Sequence, residues 1–277
     1  LHDKMLKLGA SAHAHKKMPQ EFGIACLRHA IADGQIHPWF QPKKSIASDR
    51  IVAAEALVRW AHPTLGVLLP GDFLSELVRH NLEEELLMSV VSRTIAAQAC
   101  WQQQGYDVPV TINLPTHLLN DDDLPDRLYE RVLSEGGFPT KIGFELMESS
   151  TTDNQGHYFA GVCRLRFKGF GLAQDDFGKG YSSYFNLAST PFTELKIDRS
   201  LVHGSVENEH LAAALSSIVA LGRQLGLNVV AEGVETAEEL ALLKRMHCDQ
   251  IQGFLISKAI ESDLLLRLLG ENTRAHC

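Results

Sequence analysis

Eight residues of types that hold cations or water recur at or near the expected ends of β-strands: Glu55, Asn113, Glu145, Asp175, Asp176, Lys196, Asp198 and Glu232. In a barrel of repeating strand–helix units such exits converge on one face, so carboxylates from distant parts of the chain would share a pocket. A pocket that acidic requires hard cations, and oxygen donors with a single Asn point to magnesium or manganese. The densest segment is Gln174-Asp175-Asp176-Phe177-Gly178-Lys179-Gly180-Tyr181-Ser182-Ser183. Adjacent carboxylates cannot both be buried and ionised without a strong counter-charge, because each raises the pKa of the other. A dinuclear site resolves the conflict, one carboxylate bridging two ions and the other binding one. The plainer alternative is an Asp pair capping a helix at Ser182. Gly178 and Gly180 permit a tight loop over a ligand.

The other segments are individually weaker. Glu55-Ala56-Leu57-Val58-Arg59-Trp60 sets a candidate metal ligand near Arg59, whose planar guanidinium suits bidentate phosphate recognition. A surface ion pair would use the same residues. Lys196 and Asp198, two apart, share a strand face. A buried lysine beside metals can orient a water, or it can make a structural salt bridge. Glu145 and Glu148 fall on opposite sides of their strand and should have different roles. Asn113 is polar in an apolar run, which a turn would also explain. Glu232 and Glu235 form a further pair, and Gln252 suits a base edge or a ribose hydroxyl.

Alternating elements must position these groups. A helix is expected over residues 21–33, closed by Gly34. Strands over 36–40 and 51–60 lie too close for a helical crossover, which makes them an antiparallel pair. Helices over 70–80 and 83–103 follow; the second opens on Glu83, Glu84 and Glu85, buries Leu87, Val91 and Ile95, and stops at Gly105. Strands over 108–114, 142–147, 172–176, 194–197, 227–232 and 250–256 then alternate with helices over 124–134, 158–167, 182–187, 209–225 and 237–246. Leu211, Leu215, Ile218, Val219 and Leu225 share a face of the 209–225 helix. Thr236 and Glu239 form a capping box, and Ser262 caps a final helix. Eight strands with intervening helices describe a (β/α)8-like barrel with an irregular start; a doubly wound open sheet is the competing arrangement.

The 277 residues, 45% apolar and 22% charged, are enough to bury a core of that size. A net charge of −8 argues against a polymeric nucleic acid as partner but accommodates a small phosphorylated ligand held by metals. Five scattered cysteines without a C-x-x-C indicate a reducing, cytoplasmic setting rather than a disulfide framework or zinc site. No apolar run is long enough to cross a bilayer. Residues 1–20, rich in Lys and His, read as a linker or the end of an upstream sensory or receiver domain. Residues 21–277 read as the barrel domain.

Taken together, Gln41-Pro42, Glu55-Ala56-Leu57-Val58-Arg59-Trp60, Asn113, Glu145-x-x-Glu148, Asp175-Asp176-Phe177-Gly178-x-Gly180-x-Ser182-Ser183, Lys196-Ile197-Asp198, Glu232-Gly233-Val234-Glu235 and Gln252-Gly253 resemble the EAL-domain family, bacterial phosphodiesterases of cyclic di-GMP. The resemblance implies a modified (β/α)8 TIM-like barrel with an antiparallel first strand. It also implies hydrolysis of one phosphodiester bond of cyclic di-GMP to linear pGpG, dependent on two divalent cations, Mg²⁺ or Mn²⁺, with Ca²⁺ inhibitory. By the same resemblance Glu55, Asn113, Glu145 and Asp175 hold one ion, and Asp175, Asp176 and Glu232 the other. Lys196 positions the attacking water, with Asp198 nearby. Arg59 holds a phosphate, while Gln41, Leu57, Glu235 and Gln252 line the nucleotide pocket. Glu148 anchors the loop containing Phe177, Gly178 and Ser182, close to a homodimer interface.

Three departures from the family pattern stand out: Met147 where Thr is usual, Val78 where a helix usually carries Glu, and Ala259 where Pro is usual. None is a metal ligand. Two other functions compete with hydrolysis. One is a catalytically silent cyclic di-GMP receptor, which would show broken ligands. The other is an unrelated barrel enzyme abstracting a proton with Lys196 beside magnesium, which the Asp175–Asp176 pair and Asn113 fit poorly.

Overall fold

The computed structural model describes residues 21–147, 155–179 and 184–274. Helix α1 (Ile24–Ala32) leads into β1 (Ile36–Ser45) and β2 (Ile51–His62). They pair antiparallel with Gln41 opposite Glu55. A short β3 (Gly66–Leu68) extends β2 at its far end, and α2 (Pro70–Arg79) and α3 (Glu83–Gln103) follow. The regular units are β4 (Val110–Asn113) with α4 (Leu124–Ser134), β5 (Ile142–Met147) with α5 (Gln155–Phe167), and β6 (Gly171–Phe177) with α6 (Tyr184–Ser189). Then come β7 (Glu194–Ile197) with α7 (Arg199–Gly204) and α8 (Glu209–Gln224), β8 (Asn228–Ala231) with α9 (Ala237–Arg245), and β9 (Gln250–Gln252) before α10 (Ser262–Arg274).

The sheet closes on itself, which excludes the open doubly wound arrangement. Strands β2 and β4 to β9 are parallel neighbours in order, and β1 closes the ring antiparallel to both β2 and β9. β3 hangs outside on β2. Strand residues alternate between two environments, as a pleated strand requires. Ile112, Phe144, Leu172, Leu195 and Val229 join the apolar core. Their neighbours Thr111, Glu145, Lys196 and Glu194 meet inside the barrel in polar contacts. The interior is therefore filled by ionic layers where most barrels of this kind stack branched aliphatics.

Local chemistry accounts for the element ends. Gly105, at φ +84°, stops α3 as expected. The Thr236–Glu239 capping box opens α9, and the Glu239 carboxylate also accepts from the amide of Glu235. Several expectations need correction. β1 runs five residues further than its apolar pattern, because Gln41 and Lys43 are polar residues buried within the barrel. β9 ends at Gln252, where the backbone turns so tightly past Val234 that a Cβ on Gly253 would lie 2.1 Å from the Val234 carbonyl oxygen. Leu211 and Leu225 are exposed, since the contact face of α8 is confined to Leu215, Ile218, Val219 and Gly222. Ser262 is the first residue of α10, and its hydroxyl accepts from the Trp101 indole.

Candidate active site

The site begins with an irregularity in β6. Gln174 pairs with Leu195 and Phe177 with Ile197, so two residues, Asp175 and Asp176, stand opposite the single Lys196. Consecutive strand residues normally point to opposite faces; a bulge inserts one extra residue and breaks that alternation. Asp176 takes φ +55°, a left-handed conformation that costs a non-glycine residue about 1 kcal/mol or more but is tolerated best by Asp and Asn. The result is a compact acidic group: oxygens of Asp175, Asp176 and Glu232 lie within 4.8 Å of one another.

Lys196 stands at the centre. Its side chain is fully buried, and Nζ lies 2.5 Å from Glu145, 2.6 Å from Glu232, 3.1 Å from Asp175 and 3.2 Å from Glu55. Burial would push this lysine down, but the charges of Asp175, Glu145, Glu232 and Glu55 outweigh it and hold the pKa well above its ordinary value. One ammonium faces four carboxylates, so negative charge remains in surplus. Cations would remove that surplus, and every donor present is a hard oxygen or an amide. The donor set therefore fits magnesium or manganese. Glu55 is further fixed by Asn113 Nδ2 at 3.1 Å and Gln252 Nε2 at 2.6 Å.

Glu145 and Lys196 lie within two residues of the ends of β5 and β7, near the strand exits as expected. Glu55 is in mid-strand, because β2 continues beyond the barrel to pair with β3. Asp198 does not share a strand face with Lys196. It follows β7 and N-caps α7, accepting from the amide of Ser200 at 2.9 Å.

Burial and the negative charge of Glu55 raise the Glu145 carboxyl to about 8, against the opposing pull of Lys196 and Lys43. A carboxyl raised on folding stabilises the native state fully below its unfolded value of 4.5 and loses that contribution as pH climbs through about 8. Cation binding requires the ionised form. In metal-free protein this group is expected to lower the melting temperature between pH 5 and pH 8. Manganese binding at pH 7 should release of order one proton per chain, read from calorimetry in buffers of different ionisation enthalpy. A melting temperature that rises across that pH range, with no proton release, would refute this assignment.

A concave mouth opens above the acidic group, lined by Gln41, Leu57, Asp176, Asp198, Glu232, Glu235 and Gln252 among others. The structure thus brings together most of the expected nucleotide-lining residues. Arg59 is buried nearby; Nη1 donates to the Val58 carbonyl at 2.8 Å, and the guanidinium carbon lies 5.9 Å from the Trp39 ring centre. Phe177 is buried against Tyr184, and Gly178 takes φ +94° to turn the chain out of β6. Glu148 and Ser182 lie outside the described residues. Sequence reasoning missed Lys43, Glu194 and Thr111, which form a polar layer under Glu145. No local signal marked them, since Lys43 lies beyond the apolar run 36–40 and Glu194 opens its strand.

The EAL domain family description matches residues 25–259. Among curated proteins, the chain is 34% identical to a signaling protein of Caulobacter vibrioides over 86% of its own length and 29% of that protein's. It is 32% identical to the cyclic di-GMP phosphodiesterase RocR of Pseudomonas aeruginosa, over 85% of its length and 60% of RocR's. It therefore spans less than two thirds of either relative. Among solved structures, the MucR phosphodiesterase domain in complex with c-di-GMP superposes with a TM-score of 0.79 at 32% identity, over 86% of this chain and 97% of that one. An EAL domain protein from Listeria monocytogenes gives 0.79 at 26% identity, over 91% and 99%. With its closed barrel, antiparallel first strand and convergent carboxylates, this chain belongs to the EAL domain family.

Proposed function

We propose that this domain hydrolyses one phosphodiester bond of cyclic di-GMP to linear pGpG, using two divalent cations, Mg²⁺ or Mn²⁺. The observation that carries the reading is the surplus of carboxylates around Lys196, completed by the bulge that turns Asp175 and Asp176 to one side. RocR and the MucR domain, named for this substrate, support it.

Glu55, Asn113, Glu145 and Asp175 would hold one cation, and Asp175, Asp176 and Glu232 the other. When bound, such a pair neutralises the diester's charge, acidifies water and stabilises the departing oxygen. The remaining work falls to the chain. Released from its carboxylates, Lys196 offers N–H donors that orient the attacking water, with Glu232 and Asp198 beside it. Arg59 supplies charge for a phosphate, and its pKa, though lowered by burial, starts far above neutrality. Gln252 donates to Gln41 and Glu55, while its own amide oxygen has no hydrogen-bond partner among the described residues. That acceptor suits a guanine N–H or a ribose hydroxyl. Leu57 and Glu235 complete the pocket wall.

The domain would act as a homodimer within a longer cytoplasmic signalling protein, in keeping with the greater length of its relatives. Among the described residues, no helix is long and apolar enough to cross a membrane. Purified protein with Mg²⁺ or Mn²⁺ is expected to convert cyclic di-GMP to pGpG on a chromatographic assay, with Ca²⁺ inhibiting because its looser coordination misplaces the water. Tight binding without product across metals and pH would instead identify a receptor module.

A further inference from the structure

Beneath the acidic group lies a second charged layer that takes no part in the chemistry above. Lys43, from β1, is completely buried. Its Nζ lies 2.5 Å from a Glu194 oxygen, 2.9 Å from Thr111 Oγ1 and 3.4 Å from Glu145 Oε1. Thr111 Oγ1 in turn donates to the same Glu145 Oε1 at 2.6 Å. The other Glu145 oxygen, Oε2, faces Lys196. Asn228 donates to the second Glu194 oxygen at 3.2 Å, so Glu194 is held as well.

A buried lysine is costly, and replacing a buried ion pair with apolar residues is often neutral or stabilising. The Lys43–Glu194 pair is therefore weak evidence of a purely structural role. Its geometry has a specific consequence: every described contact to Glu145 Oε1 comes from below, and Oε2 alone is turned towards Lys196. Groups that fix the orientation of a ligating side chain typically change metal affinity 10- to 100-fold when removed.

We propose that Lys43, seated on Glu194, is a positioning residue that works with Thr111 to hold Glu145 as a single-oxygen ligand aimed into the cation site. This rests on the two-cation reading above. Lys43 touches neither the substrate nor the cations; it acts through Glu145. Lysine suits the task because it supplies several donors at once, to Thr111, Glu145 and Glu194.

The test compares wild type, Lys43→Met and the paired Lys43→Met/Glu194→Met, which removes both charges together. Manganese affinity is measured by calorimetry without substrate, and folding by circular dichroism in chelator. The dissociation constant for manganese is expected to rise roughly 10- to 100-fold in both variants, while the paired variant melts within a few degrees of wild type (small shifts being usual for such swaps). A folded variant binding manganese within about twofold of wild type would overturn the proposal. So would a paired variant that fails to fold, since the layer would then serve the barrel itself. Failure of wild type to bind manganese would overturn the two-cation reading instead.

Discussion

Glu55→Ala is expected to reduce hydrolysis of cyclic di-GMP by roughly 10³-fold or more, the scale on which a single transition-state donor acts in a buried site. Its carboxylate ties together three elements, accepting from Asn113 on β4 and Gln252 on β9 and pairing with Lys196 on β7. Removing it deletes a cation ligand and leaves Gln252 only Gln41 as an acceptor for its amide. Glu55→Gln separates these effects, because it keeps the shape and much of the hydrogen bonding but loses the charge. Both variants should be nearly silent at low manganese. At high manganese only the glutamine variant should recover measurably. Product formation by Glu55→Ala above about a tenth of wild type would sink the assignment.

Lys196→Met should act on stability and chemistry with opposite responses to cations. In metal-free protein the substitution strands Asp175, Glu145, Glu232 and Glu55 without their shared counter-charge. Breaking a buried pair by removing one partner typically costs about 3–5 kcal/mol, so the melting temperature in chelator at pH 8 should fall sharply. Manganese should restore much of it, because added cations supply the missing charge and bind only the native arrangement. Turnover should stay about 10²- to 10⁴-fold low even when cations saturate, since the donor that orients water is gone. An unchanged metal-free melting temperature would contradict the electrostatic account of the site.

The alternation of strand and helix was readable from residue periodicity, and so was the antiparallel start, because too few residues separate β1 from β2 for a crossover. The acidic residues that converge on Lys196 were readable too, as carboxylates recurring from unit to unit. What escaped was geometry that depends on neighbours. Asp175 and Asp176 were expected to serve one site, but the extra strand residue that lets neighbours converge shows only in the pairing of β6 with β7. Lys43 and Glu194 look like surface charges, since nothing local says that the far face of each strand is the barrel interior. β3 and α7 are too short for any period to register. Asp198 was misassigned because the end of β7 comes one residue before it.

The ring closes through a strand from the beginning of the domain and one from its end: Lys43 pairs with Gln252, Ser45 with Gln250. A polypeptide leaving the ribosome N-terminus first therefore cannot finish the cylinder until nearly the last segment has been made. Before that moment Glu55 lacks its glutamine support, and Lys43 has a neighbour on one side only. Assembly must be late and concerted, dominated by contacts distant in sequence, a topology associated with slow folding. A protein interrupted between Glu232 and Gln252 would carry all of its candidate acidic ligands without the strand that closes the cage.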